Sequence, residues 1–287
     1  MDEEASRGMR EFDELETRAR ELRQDVLAMA VHAGGAHVSP AYSIIDMLVV
    51  LYGRHLRVTP ETADDPERDR MVLSKGHGSA ALYAVLAQEG FFERDQLKGF
   101  CSMGSKLGGH PDVNKVAGVE ASTGSLGHGF AMAVGMALAA QLKKQTYRVA
   151  TILGDGECQE GSIWESAMAA VQLGLDNIVV IVDANGLQGM GEVESINQLE
   201  PFAEKWRSFG WNVREIDGHD LRAIDSAVSE GFTEGTGPFV VIARTVKGKG
   251  VSFMEGQAIW HYRLPNDEEM AQACEELELE SIETVLP

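Results

Sequence analysis

Gly154-Asp155-Gly156-Glu157-Cys158-Gln159-Glu160-Gly161, then a helical stretch, the apolar run 177–183, and Asn185-Gly186-Leu187-Gln188 together decide the fold. The runs 148–153, 177–183 and 238–244 are continuous and β-branched, of strand length, and separated by helical patterns. That is how strands buried on both faces of a parallel sheet read. In a parallel βαβ unit the loops after neighbouring strands leave the sheet at its carboxyl edge, and the strands lie only about 4.8 Å apart. Asp155 and Asn185, thirty residues apart, can then reach one ion. Their side-chain oxygens, with a backbone carbonyl such as that of Leu187, suit Mg²⁺, which takes about six oxygen ligands near 2.1 Å and often completes its shell with phosphate. Gly154 and Gly156 let a phosphate approach the backbone, and the helix beginning near Ser162 points its N-terminus at the same region. An Asp-Gly pair alone reads as a turn; the second loop is what turns it into a metal site.

Outward from this centre, Phe12, Leu15, Ala19, Leu22, Val26 and Met29 recur at steps of three and four, an amphipathic helix leading into a loop at 32–38. Ser39-Pro40 reads as an N-cap followed by proline at the first helical position, with Gly53 closing that helix. Residues 59–70, rich in proline and charge, read as a surface loop before a short strand at 71–73, which delivers Ser74-Lys75-Gly76-His77-Gly78 to a strand-to-helix turn. The Ala-, Met- and Gly-rich segment 127–142 suits a tightly packed central helix. From Asn266 onward the chain is an acidic, helical tail. The expected architecture is a single α/β domain over residues 1–287, a doubly wound, mostly parallel sheet with helices on both faces.

The 287 residues are 44% hydrophobic and 24% charged, with a formal net charge of −20. Such acidity argues against a nucleic-acid or anionic-membrane surface, and Lys247 to Lys249 is too short a cluster to change that. The charged N-terminus excludes a signal peptide, and no apolar run approaches the ~20 residues of a membrane span. Cys101, Cys158 and Cys274 have neither metal-ligand nor disulfide spacing, which fits a reducing cytoplasm.

Six further segments carry a resemblance. Ser74-Lys75-Gly76-His77-Gly78-Ser79, Gly109-His110-Pro111, Thr123-Gly124-Ser125-Leu126-Gly127-His128-Gly129, Asp217-Gly218-His219-Asp220, and Thr245-Val246-Lys247-Gly248-Lys249-Gly250 with Trp260-His261 are similar, in order, to the N-terminal portion of the transketolase family. The Asp155 to Asn185 interval likewise resembles the thiamine diphosphate signature. The resemblance implies thiamine diphosphate and Mg²⁺ as cofactors, with Asp155, Asn185 and the Leu187 carbonyl as metal ligands. It implies Gly154, Gly156, Glu157 and His77 around the diphosphate, and Gly124, Ser125 and Leu126 beside the aminopyrimidine and thiazolium. It makes His37, His77, His110 and His261 the active-site histidines, and Glu160 the acidic residue near a subunit interface. Convergent imidazoles fit such a reaction, which develops an alkoxide and moves hydroxyl protons near neutral pH. His32, His55 and His219 read as satisfied loop or core residues, and His128 stays open between packing and function. Val38-Ser39-Pro40 after His37 and Tyr262 after His261 depart from the family's pattern, on the substrate side of the site.

Thiamine chemistry requires a carboxylate against the aminopyrimidine, which the family carries on another domain. The resemblance therefore implies a split enzyme that transfers a two-carbon ketol unit between a ketose and an aldehyde or aldose. Its partner would be a C-terminal subunit carrying the pyrimidine-binding and C-terminal domains, in an α₂β₂ assembly. Two alternatives stand beside it: the α subunit of a 2-oxo acid dehydrogenase or decarboxylase, and a non-catalytic scaffold.

Overall fold

The computed structural model describes residues 10–189, 191–233 and 236–286. Its strands are β1 (Arg70–Leu73), β2 (Val149–Gly154), β3 (Ile178–Ala184), the two-residue β4 (Leu187–Gln188) and β5 (Gly191–Glu192), β6 (Asn212–Asp217) and β7 (Phe239–Arg244). Five of them form one parallel sheet in the order β1-β2-β3-β7-β6, and β4 and β5 pair as a small antiparallel hairpin. The helices are α1 (Phe12–Ala33), α2 (Val38–Tyr42), α3 (Ile45–Val50), α4 (Ser79–Gln88), α5 (His128–Lys143), α6 (Gly161–Gln172), α7 (Val193–Ile196), α8 (Phe202–Ser208), α9 (Leu221–Thr233) and α10 (Asp267–Glu276).

The period-2 geometry of a strand sends successive side chains to opposite faces. Ala150, Ile152, Val179, Ile181 and Val241 accordingly pack into a core with α1 to α4 and α9. Val149, Leu153, Val180, Val182, Val240 and Ile242 pack into a second core with α5, α6 and α8. Both faces carry buried apolar side chains, and each fully buried Val, Leu or Ile contributes roughly 1.5–3 kcal/mol. The doubly wound α/β architecture expected from the apolar runs is the one observed.

Several local expectations give way to tertiary packing. Helix α1 continues through His32, whose Nδ1 lies 2.9 Å from the Ala28 carbonyl, so the loop begins only at Gly34. Ser39 is not a cap: α2 begins at Val38 with His37 as its N-cap residue. The chain then breaks into α3 and a π-turn over Leu51–His55 that contains Gly53. Gly53 is there for space, since a Cβ would lie 2.7 Å from Leu15 Cδ2 of α1. Helix α5 is packed on one face only, with Ala131, Gly135 and Leu142 exposed. Strand β6 was not legible because it is a half-exposed edge strand with charges along it. The acidic tail forms α10, entered through a capping box between Asn266 and Glu269 and held to α1 by Gln24 Nε2 donating to the Leu277 carbonyl at 2.8 Å. Among the described residues no helix is long and apolar enough to cross a membrane.

Candidate functional site

Four neighbouring strands end at one cavity of about 250 Å³. The turn after β1 brings Lys75 and His77; the loop after β2 brings Gly154, Asp155, Gly156 and Glu157; the loop after β3 brings Asn185, Leu187 and Gln188; the segment after β7 brings Lys247 and His261. His37, Pro40, Gly124, Leu126 and Gly189 complete the lining. This is the carboxyl edge of the sheet, where open α/β folds bind ligands.

At the ends of β2 and β3, Asp155 is 6% exposed. Its Oδ1 accepts from the Gly156 N–H at 2.7 Å and its Oδ2 from the Gly186 N–H at 2.6 Å, tying the two loops together. Burial first, and repulsion from Asp183 second, push its carboxyl up to about 6 despite those two bonds. Asn185 accepts from the Leu187 N–H at 3.0 Å and donates to Asp183 Oδ2 at 3.0 Å. The Leu187 carbonyl takes only a long 3.4 Å contact from Lys247 Nζ. Each of these three oxygens keeps a lone pair, and a buried carboxylate disfavoured in its charged form gains from a cation. This donor set, one carboxylate, one amide and one carbonyl, fits the all-oxygen preference of Mg²⁺. Among the described residues no cluster of three or more His, Cys, Asp or Glu is arranged to hold a metal ion; a site with a single carboxylate presents no such cluster.

On the other side, imidazoles gather. The His37 ring centroid lies 5.7 Å from that of His77, 5.1 Å from His261 and 6.3 Å from His110. Burial, then the neighbouring cationic groups, lower His37 and His261 to about 4, and burial with Lys75 holds His77 well below the usual range. His110 is exposed and does not line the cavity; it packs on Gly124, where a Cβ would lie 2.9 Å from His110 Cδ2.

Three further expected residues stand apart from the cavity chemistry. Ser125 and Glu160 are exposed and do not line the cavity; Glu160 is the N-cap residue of α6. Glu157 does line it, but its carboxylate is spent on the frame. Oε1 accepts from Ser74 Oγ and from the Gly127 N–H, and Oε2 accepts from the Gly154 N–H.

Sequence reasoning also passed over three groups that build the site. Lys75 and Asp183, 1% and 0% exposed, form a buried ion pair. Lys75 also donates to the Pro40 carbonyl, and Asp183 accepts from Ser43, Thr245 and Asn185. Lys247, also 1% exposed, lies 3.0 Å from His261 Nδ1; burial, then Lys75, lower it to about 8. His219 Nδ1 meets Asp46 Oδ2 at 2.7 Å while its Nε2 accepts from the Val246 N–H at 2.8 Å, which steadies the turn carrying Lys247. The available signals were a charged residue ending an apolar strand, for Asp183, and the two glycine-flanked lysine motifs.

The fold and its cavity are those of a ligand-binding α/β domain, and comparison with known proteins makes it a thiamine diphosphate-binding one. The family described as "Transketolase, thiamine diphosphate binding domain" matches residues 16–285. The chain is 42% identical to the 6-deoxy-6-sulfo-D-fructose transketolase subunit SqwG of Clostridium sp. (strain MSTE9), over 93% of this chain and 97% of that protein. It is 40% identical to an apulose-4-phosphate transketolase subunit of Actinobacillus succinogenes, over 93% and 96%. The solved transketolase of Campylobacter jejuni superposes with a TM-score of 0.88 at 31% identity, over 94% of this chain but 43% of that one. The chain belongs to the transketolase family, as the N-terminal, thiamine diphosphate-binding subunit of a split transketolase-type transferase.

Proposed function

We propose that this chain, as a single diphosphate-binding domain, holds thiamine diphosphate through Mg²⁺. With a C-terminal subunit carrying the pyrimidine-binding and C-terminal domains, in a cytoplasmic α₂β₂ assembly, it transfers a two-carbon ketol unit from a ketose to an aldehyde or aldose. The observation that carries this reading is the meeting of Asp155, Asn185 and Leu187 with His37, His77 and His261 in one cavity. Thiamine diphosphate, when bound, supplies the nucleophilic carbon that takes up the ketol unit. Asp155, Asn185 and the Leu187 carbonyl would hold the ion, and Gly154 and Gly156, which line the same cavity, would offer backbone to the diphosphate. Gly124 and Leu126 line the cavity beside them, with Ser125 in the same loop. Lys247 donating to His261 Nδ1 leaves the proton on His261 Nε2, a fixed tautomer. His37 and His261, neutral near pH 7, can accept hydroxyl protons or donate to a developing oxyanion, with His110 packed on Gly124 outside the cavity lining. Glu160, exposed at the start of α6, is open to contact with another subunit.

Calorimetry with Mg²⁺ and thiamine diphosphate, on the chain assembled with the subunit that copurifies with it, tests the reading. Binding is expected to require Mg²⁺. Asp155→Ala should weaken it by at least about 100-fold, the upper end of what even outer groups of a metal site contribute, with the circular dichroism spectrum unchanged. Wild type without cofactor binding would favour the scaffold, and decarboxylation of pyruvate in place of ketol transfer would favour the 2-oxo acid enzyme.

A further inference from the structure

Tyr262 is a large aromatic side chain 60% exposed beside the cavity. Its ring meets that of His37 edge to face, with centroids 4.8 Å apart and an interplanar angle of 70°. Against the same ring lies the bare backbone of Gly35. A Cβ there would lie 3.3 Å from Tyr262 Cε1 and 3.4 Å from its hydroxyl, so Gly35 makes the seat for the ring. The segment that carries the ring is also anchored. Tyr262 ends the 3₁₀ turn Ala258–Tyr262, in which Trp260 is 4% exposed. The next residue, Arg263, lies over the Trp260 ring at 4.2 Å and donates to both Glu269 oxygens at 2.9 Å. An exposed aromatic seated against an imidazole of the cavity and carried on an anchored segment is a wall, and the same segment also delivers His261 to the cavity.

We propose that Tyr262 is a specificity-determining residue: its ring, seated on His37 and Gly35, closes the mouth of the cavity on that side and limits the length of polyhydroxylated aldehyde that passes His37. The inference rests on the ketol-transfer reading above and adds the substrate class that the site selects. A planar ring with one hydroxyl at its edge gives a polyol chain an apolar surface and a single hydrogen-bonding point, while its bulk excludes longer chains.

The test is the ratio of kcat/KM for erythrose to that for glycolaldehyde as acceptor, measured on the assembled enzyme with cofactor. Tyr262→Gly should raise the ratio at least about fivefold, within the range that one steric contact contributes to discrimination. Tyr262→Phe, which keeps the ring, should leave it within about twofold. Ketol transfer with an unchanged ratio in Tyr262→Gly overturns the proposal alone; no ketol transfer by wild type overturns the parent reading and this inference with it. Modification of His37 by diethyl pyrocarbonate in the full chain, followed by peptide mass spectrometry, reads the shielding without turnover. It should run several-fold faster in Tyr262→Gly, and equal rates would show that the ring does not cover His37.

Discussion

His37 and His261 enter the cavity as neutral imidazoles, and the cause is local: burial strips water from the charged form, and Lys247, Lys75 and the neighbouring rings penalise it further. Both are lowered from 6.5 to about 4, so between those values the unfolded chain binds more protons than the folded one. These two groups therefore favour the fold increasingly as pH rises from about 4 to 6.5, and that contribution is lost as pH falls back through the window. Asp155 acts in the opposite sense, because its carboxyl is raised to about 6 and the folded chain there binds the extra proton. The histidine ring C–H resonances give a direct check. The signals of His37 and His261 should hold their neutral positions down to about pH 5, whereas titration near 6.5 would refute the electrostatic account. The sequence named these histidines one at a time; what it could not express is that they are buried together beside two lysines from different strand ends, which keeps them uncharged.

Helix α5 and strand β1 cross at Gly129, and the closeness of that crossing sets the frame of the site. A Cβ at Gly129 would lie 2.6 Å from Ser74 Cα, a clash with backbone that no side-chain rotation relieves. Ser74 Oγ accepts from the Phe130 N–H at 3.0 Å and donates to Glu157, which in turn holds the Gly127 and Gly154 N–H groups. One buried carboxylate thus joins the ends of β1 and β2 to the start of α5. Gly129→Ala should destabilise the fold by about 1–3 kcal/mol, the usual scale of overpacking, read from the midpoint of urea unfolding. A midpoint equal to that of wild type would mean that α5 shifts freely against β1. The Ala-, Met- and Gly-rich composition of 127–142 signalled close packing, and the structure confines that packing to one face.

Over the whole molecule the net charge of −20 works against compactness, while many of its cations are tied into ion pairs. Arg57 and Arg148 share the fully buried carboxylate of Asp69, and Arg23 pairs with Asp46. Such sheltered pairs are screened little by salt, whereas the long-range repulsion among surface carboxylates is screened as the Debye length falls from about 30 Å to 8 Å between about 0.01 and 0.15 M salt. Calorimetric melting should therefore rise by roughly 2–4 °C over that range, the shift that about 1 kcal/mol gives in a domain of this size; a fall would mean that the ion pairs dominate. The sequence by itself determined the parallel sheet, its two-sided burial and the two loops that meet at Asp155 and Asn185. Those features follow from periodicity and from the fixed spacing of neighbouring strands. Only the tertiary structure decided that Glu157 braces the frame, that Lys75, Asp183 and Lys247 belong to the site, and that Tyr262 leans on His37. These are matters of direction and distance between segments far apart in the chain, and no local pattern encodes them.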